Sequence, residues 1–288
     1  RELRESLLSP PRPGGNLRTQ GAMPHATPID RIDRVSPSHR PPGWTVMRQR
    51  WRHLLFLHWE VPPEAIQPLL PRSLNVDTYQ GRAFVGLVPF SMTGVRPTWA
   101  PPVWGLSTFL EVNVRTYVHQ EGRDPGVWFF SLDAAQTLAV RFARRYWNLP
   151  YHRASMSIEV DPSGRIAYQS KRLWPSPTPA DCEMAYRPCG EARPSEPGSL
   201  EHFLAERYFL YAQRGHSLFR GQVHHRPYPL QPVELEHLRE DLVAASGIDR
   251  GDASPSAFYS PGVRVRVYPL IRVGPGVSKK TDGAEWAG

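Results

Sequence analysis

Residues 108–118 read TFLEVNVRTYV, and no other stretch constrains the fold so tightly. Aliphatic side chains recur at every second position, the period of an extended strand and not of a helix. Leu110, Val112, Val114, Thr116 and Val118 fall on one face. Phe109, Glu111, Asn113, Arg115 and Tyr117 fall on the other. A strand of this length must pair with others.

The chain supplies partners on both sides. Residues 82–96, 126–134, 151–160, 164–173 and 263–273 are rich in β-branched and aromatic residues and read as strands. Residues 46–61 read as a strand or a buried segment, and 119–126 as a turn. Helices are expected in four places. Residues 63–71 open with proline, which a first helical turn tolerates. Residues 135–147 carry a stripe of Ala135, Leu138, Ala139, Phe142 and Tyr146. Residues 199–215 start at Ser199, end near Gly215 and carry Leu200, Phe203, Leu204, Tyr208 and Tyr211. Residues 233–247 carry Leu235, Leu238 and Leu242 and end at Gly247. There is no internal repeat and no regular βαβ spacing. The expected class is α+β and strand-dominated, a twisted antiparallel sheet that stays open or closes into a barrel.

Proline concentrates outside these segments. The chain has 32 Pro and 22 Gly, with dense runs before Trp44, from Arg96 to Pro102 and from Trp174 to Pro197. Proline fixes φ and has no N–H for a ladder, so these runs read as tails and loops. Residues 1–43 lack apolar periodicity and are expected to be disordered, and whether translation starts at Met23 within them stays open. Residues 274–288 are expected as a second disordered tail, leaving one domain over 44–273.

The formal charge is +8, of which residues 1–43 contribute +3 and 274–288 nothing. The remaining +5 is a mild excess that a solvated surface explains, so no nucleic-acid partner is expected. Cys182 and Cys189 share a Pro-rich stretch, fit no zinc spacing, and are expected as reduced thiols rather than a disulfide. No run of 18 apolar residues exists, and the first ten residues lack the apolar core of a signal peptide. The expectation is a soluble, cytoplasmic protein without a membrane partner. Homo-oligomerisation stays open.

Candidate site residues begin with Glu111, Asn113 and Arg115, which point the same way on one strand. If that face meets solvent, the strand is an ordinary amphipathic one. If it lines an interior, it brings a carboxyl, an amide and a guanidinium into one pocket that could bind and polarise a carboxylate or carbonyl ligand. Asp133 ends a hydrophobic strand and is expected to cap the helix after it. Tyr151 and His152 follow Pro150 at once, and either could donate a proton. His216, His224 and His225 cluster, with His202 and His237 on the two expected helices nearby. Adjacent histidines on a strand face opposite ways and no H-E-x-x-H occurs, so no metal is expected. Nor is there a G-x-S-x-G, a P-loop or a dinucleotide fingerprint, so no cofactor is expected either.

Several segments taken together resemble a known family. They are VPFSMTG (88–94), EVNVRTYV (111–118), GVWFFSLDA (126–134), ARRYWNLPYHRASM (143–156), LAERYFLYA (204–212) and GHSLFRGQVHHRPYPLQ (215–231). In this order they resemble the uncharacterised YqjF-like family, which is similar in fold to acetoacetate decarboxylase. The resemblance implies an antiparallel, barrel-like core with flanking short helices. Acetoacetate decarboxylases use a Schiff-base lysine after a Tyr-Pro pair. The corresponding stretch here is Leu149-Pro150-Tyr151-His152, and the chain's lysines are Lys171, Lys279 and Lys280. The resemblance also implies that Glu111 is the counterpart of the decarboxylase glutamate, with its face inside the barrel.

Two readings of function follow. In one, Glu111, Tyr151 and His152 act on a small anionic molecule held by Asn113 and Arg115. In the other, the protein is a non-catalytic ligand sensor or an oligomeric interaction module.

Overall fold

A computed structural model describes residues 32–175 and 179–273. Residues 1–31 and 274–288, which make up most of the two expected tails, lie outside them. The strands are β1 (Met47–Val61), β2 (Asn75–Val76), β3 (Ala83–Pro97), β4 (Phe109–Gln120), β5 (Arg123–Ala134), β6 (Tyr151–Val160), β7 (Ile166–Trp174), β8 (Asp181–Pro188), β9 (Phe209–Arg214), β10 (Ser217–His224), β11 (Gln231–Glu240), β12 (Ser256–Val267) and β13 (Ile271–Val273). The helices are short: α1 (Pro63–Ile66), α2 (Thr137–Phe142), α3 (Leu200–Ala205) and α4 (Leu242–Ala245).

All thirteen strands share one sheet, and its ladder returns on itself twice. One circuit runs β1–β3–β4–β5–β6–β7–β8–β11–β12 and back to β1. The other runs β1–β3–β4–β5–β9–β10–β12. Strands β12, β1, β3, β4 and β5 belong to both, so each of their faces meets a different interior. The period of two then sorts neighbours into separate cores. Leu55, Leu57, Val112 and Val114 pack with Tyr168 and Tyr186 in one. Leu54, Phe56, Phe90 and Tyr117 pack with Phe203, Tyr228 and Phe258 in the other.

The sheet is mostly antiparallel, but β5 runs parallel to both β6 and β9, which corrects the wholly antiparallel expectation. The cause of the first exception is the crossover through α2, since a strand re-entering beside its predecessor after a helix runs the same way. Between β5 and β9 the backbones approach closely. A Cβ on Gly126 would sit 2.7 Å from the carbonyl oxygen of Phe209. The turn before β5 shortens to Glu121-Gly122, both at positive φ, as a two-residue hairpin requires.

Two expected helices are largely strand. Of 199–215, only Leu200–Ala205 is helical, capped by Ser199 through the N–H of His202. Residues 209–214 form β9 instead, where Phe209, Tyr211 and Ala212 gain a ladder and a core face at once. Of 233–247, only Leu242–Ala245 is helical. The remainder is β11, with a register shift between Leu235 and His237. A bulge inserts one residue, so Leu235 and Leu238 reach the same core at a spacing of three. That spacing imitates a helical period, and His237 lies on a strand. The helix expected over 135–147 divides into α2 and a π-helical turn over Ala143–Trp147, ended by Asn148 in the left-handed region.

Residues 32–43 depart from the expected disorder. Ile32 is buried, and Arg34 pairs with the buried Asp77. Cys182 is not in a loop either: it lies buried on β8, and both cysteines are free thiols.

Candidate functional site

Strand β4 runs between the two interiors, so its polar face turns inward, away from the surface. Glu111, Asn113 and Arg115 are 2%, 4% and 9% exposed. Burying three such groups is unfavourable unless partners meet them. Their partners are few, and they border a cavity of about 340 Å³ in the second circuit. Phe90 and Met92 of β3, Phe129 and Leu132 of β5, and Leu138 and Phe142 of α2 supply apolar walls. Tyr151, Arg207 and Tyr228 add polar groups.

Tyr151 begins β6 beside Leu132, where the peptide of Pro150 accepts a hydrogen bond from Leu132 N–H. From there its hydroxyl donates to Glu111 Oε2 at 2.7 Å. Burial raises the Glu111 carboxyl to about 8, against the opposing pull of the Tyr151 hydrogen bond and with a small push from Asp133. Near neutral pH Glu111 is therefore a protonated acid with its own O–H to offer. Burial, with Glu111 beside it, also pushes Tyr151 well above the usual phenol range. Asn113 Oδ1 is buried without a partner.

Arg115 Nη2 donates to the carbonyl oxygen of Leu204 at 3.0 Å, and Nε has no partner. Its guanidinium lies over the rings of Phe56 and Tyr117. No salt bridge among the described residues involves Arg115. His58 stands beside it, and burial plus the Arg115 charge hold that imidazole well below its usual range. The neutral ring bonds through Nε2 to the Tyr117 hydroxyl at 2.6 Å.

Arg207 is a site residue that the pattern of the chain does not reveal. It sits just past α3, 6% exposed, with Nη1 on Asp77 at 2.7 Å and Nε on the Phe203 carbonyl at 2.7 Å. Its Nη2 is buried and unpartnered. Asp77 lies between Arg207 and Arg34. Burial pulls its carboxyl up, but the two guanidinium groups overcome this and hold it below the usual range. The one available signal was a charged pair, Glu206-Arg207, inside an otherwise apolar stretch.

Two expected site residues are elsewhere. His152 does not line the cavity, because neighbours on a strand face opposite ways. It lies instead near Arg172 and Arg144, and burial followed by those charges lowers it to about 4. Asp133 is not a helix cap. It accepts from Arg172 Nε and Nη2 in a fully buried pair, and Gln136 caps α2 instead. Among the described residues, no group of three or more His, Cys, Asp or Glu could hold a metal ion, and no helix is long and apolar enough to cross a membrane.

Comparison with known proteins places the chain. A family described as "Uncharacterized conserved protein (COG2071)" matches residues 48–264. The uncharacterized protein YqjF of Bacillus subtilis (strain 168) is 38% identical over 230 residues, covering 80% of this chain and 93% of that protein. The chain belongs to this family. Solved structures extend the likeness beyond it. The enduracididine biosynthesis enzyme MppR, complexed with the condensation product of pyruvate and imidazole 4-carboxaldehyde, aligns with a TM-score of 0.54 at 12% identity, over 82% of this chain and 90% of that one. Acetoacetate decarboxylase from Legionella pneumophila aligns with a TM-score of 0.52 at 15% identity, over 93% and 98%. The chain thus shares the fold of acetoacetate decarboxylase-like enzymes. At these identities the likeness bears on the fold alone.

Proposed function

We propose that this YqjF-like protein binds a small carboxylate- or carbonyl-bearing molecule inside a β-barrel, and that Arg115 grips its anionic end. The observation that carries this reading is Arg115 itself, a buried cation on a cavity wall that makes no salt bridge among the described residues. Removing a charge from water is costly, and an incoming carboxylate would offset that cost through paired hydrogen bonds. Asn113 and Arg207 add further unmet polar atoms on the same cavity. The Glu111–Tyr151 pair would polarise a ligand carbonyl, since a neutral acid at pH 7 donates where a carboxylate cannot.

Schiff-base chemistry finds no support. No lysine lines the cavity among the described residues, and Lys171 is exposed on β7. A second reading, a ligand sensor without turnover, is favoured by His152 facing away, which leaves one acid–base pair in place of three groups. The test has two parts on the full chain. A thermal-shift series with acetate, pyruvate and acetoacetate should stabilise the wild type, by about 2.7 kcal/mol at 100 times the dissociation constant, and not Arg115→Ala. Deuterium exchange next to the carbonyl of a bound oxo acid, lost in Glu111→Gln, would separate enzyme from sensor. Equal shifts in wild type and Arg115→Ala would end the proposal.

A further inference from the structure

The cavity has a direction. Along β4, Phe109, Glu111, Asn113 and Arg115 line it in turn, a span of about 20 Å at the usual strand rise. Leu106, just before the strand, is exposed and Phe109 is half-buried, whereas the groups that meet Arg115, namely Phe56, His58, Tyr117 and Leu204, are all 0–1% exposed. The unpaired guanidinium therefore lies at the closed end. Between it and the mouth, Glu111 and Asn113 of β4 are faced by the apolar side chains of Val88, Phe90, Met92, Phe129 and Leu132 on the neighbouring strands. At the mouth, Leu138 and Phe142 line the cavity yet stay 55% and 51% exposed. They are i and i+4 on α2, so they form one apolar edge, flanked by Tyr146 against the Phe142 ring, that the described residues leave largely uncovered.

We infer that the ligand is a monocarboxylate with an apolar tail, long enough to run from Arg115 to the edge formed by Leu138 and Phe142. This rests on Arg115 being the anion site. A two- or three-carbon acid at the closed end leaves the apolar walls facing water and the rim uncovered. A tail displaces that water, and its outer carbons cover Leu138 and Phe142. The polar groups of Glu111 and Tyr151 lie part-way along the tail, so an oxygen on the ligand would sit in mid-chain. Leu138 and Phe142 then set the tail length the protein prefers.

The test is titration calorimetry of the full chain with straight-chain saturated monocarboxylates from acetate to hexadecanoate, and with the primary alcohols up to decanol. The dissociation constant should fall about fourfold per added methylene, the equivalent of ~0.8 kcal/mol each, and level off once the tail passes the rim. Alcohols should bind at least tenfold more weakly than acids of the same length. Leu138→Ser and Phe142→Ser, at exposed positions that the fold tolerates, should weaken hexadecanoate and leave butanoate unchanged. An affinity that does not change with length, but is abolished by Arg115→Ala, would overturn the tail and keep the anion site. Alcohols that match acids, or rim variants without effect on hexadecanoate, would also overturn it. No binding of any acid would sink the anion site and the tail together.

Discussion

Replacing Glu111 by glutamine should change how stability depends on pH, and the size of the change can be worked from the site. The carboxyl titrates near 8 in the folded protein against 4.5 when unperturbed. Below 4.5 it is protonated in both states and contributes no pH dependence. Between 4.5 and about 8 the unfolded chain releases the proton and the folded protein keeps it. The folded state then binds more protons, and stability falls as pH rises, at up to about 1.4 kcal/mol per pH unit. Above 8 both states are ionised and the loss is complete, with an upper bound of about 5 kcal/mol. Glutamine has the same shape, still accepts from Tyr151 and does not titrate. Other titrating groups are common to both proteins and cancel. Urea unfolding followed by tryptophan fluorescence at pH 5, 6, 7, 8 and 9 should show Glu111→Gln gaining on the wild type from pH 5 to 8 and keeping that gain at pH 9. A difference that stays constant from pH 5 to 9 would refute the reasoning, because it would mean that Glu111 ionises at an ordinary pH inside the fold.

Other perturbations test the supports of the site. Arg34→Ala should destabilise by about 1.5–3 kcal/mol, the range for a hydrogen bond to a charged group, because Asp77 then relies on Arg207 alone; a chain starting at Trp44, which also lacks the buried Ile32, should lose at least as much by urea unfolding, and one starting at Ile32 should not. Asp133→Ala should cost about 3–5 kcal/mol by leaving Arg172 buried without its acid, while Asp133→Leu with Arg172→Met should recover most of that loss.

How far the chain could be read in advance depended on whether a residue's partner lies nearby in sequence. The β4 face was legible because Glu111, Asn113 and Arg115 keep strict alternation, and alternation alone groups them. It could not say that both faces are buried, since that follows from β4 pairing with β3 and β5 while two circuits close around it. Tyr151 was legible through its neighbour Pro150, but its contact with Glu111 spans 40 residues. Periodicity misled over 233–240, where a bulge gives a strand the spacing of a helix. It misled again over 206–214, where tyrosines that suit a helix stripe serve a β ladder better. Arg207, Asp77 and Arg34 form one chain of ion pairs across three distant segments, and no local pattern contains it.

Titration calorimetry of acetate, 2-oxobutanoate and hexanoate into the wild type and Arg115→Met would settle whether the buried guanidinium is an anion site. Methionine keeps the unbranched apolar stem of arginine and removes the charge, so both proteins should fold. At least one acid should bind the wild type at a one-to-one ratio and bind Arg115→Met at least tenfold more weakly. Equal affinity in the two proteins, or no binding to the wild type by any of the three, would contradict it.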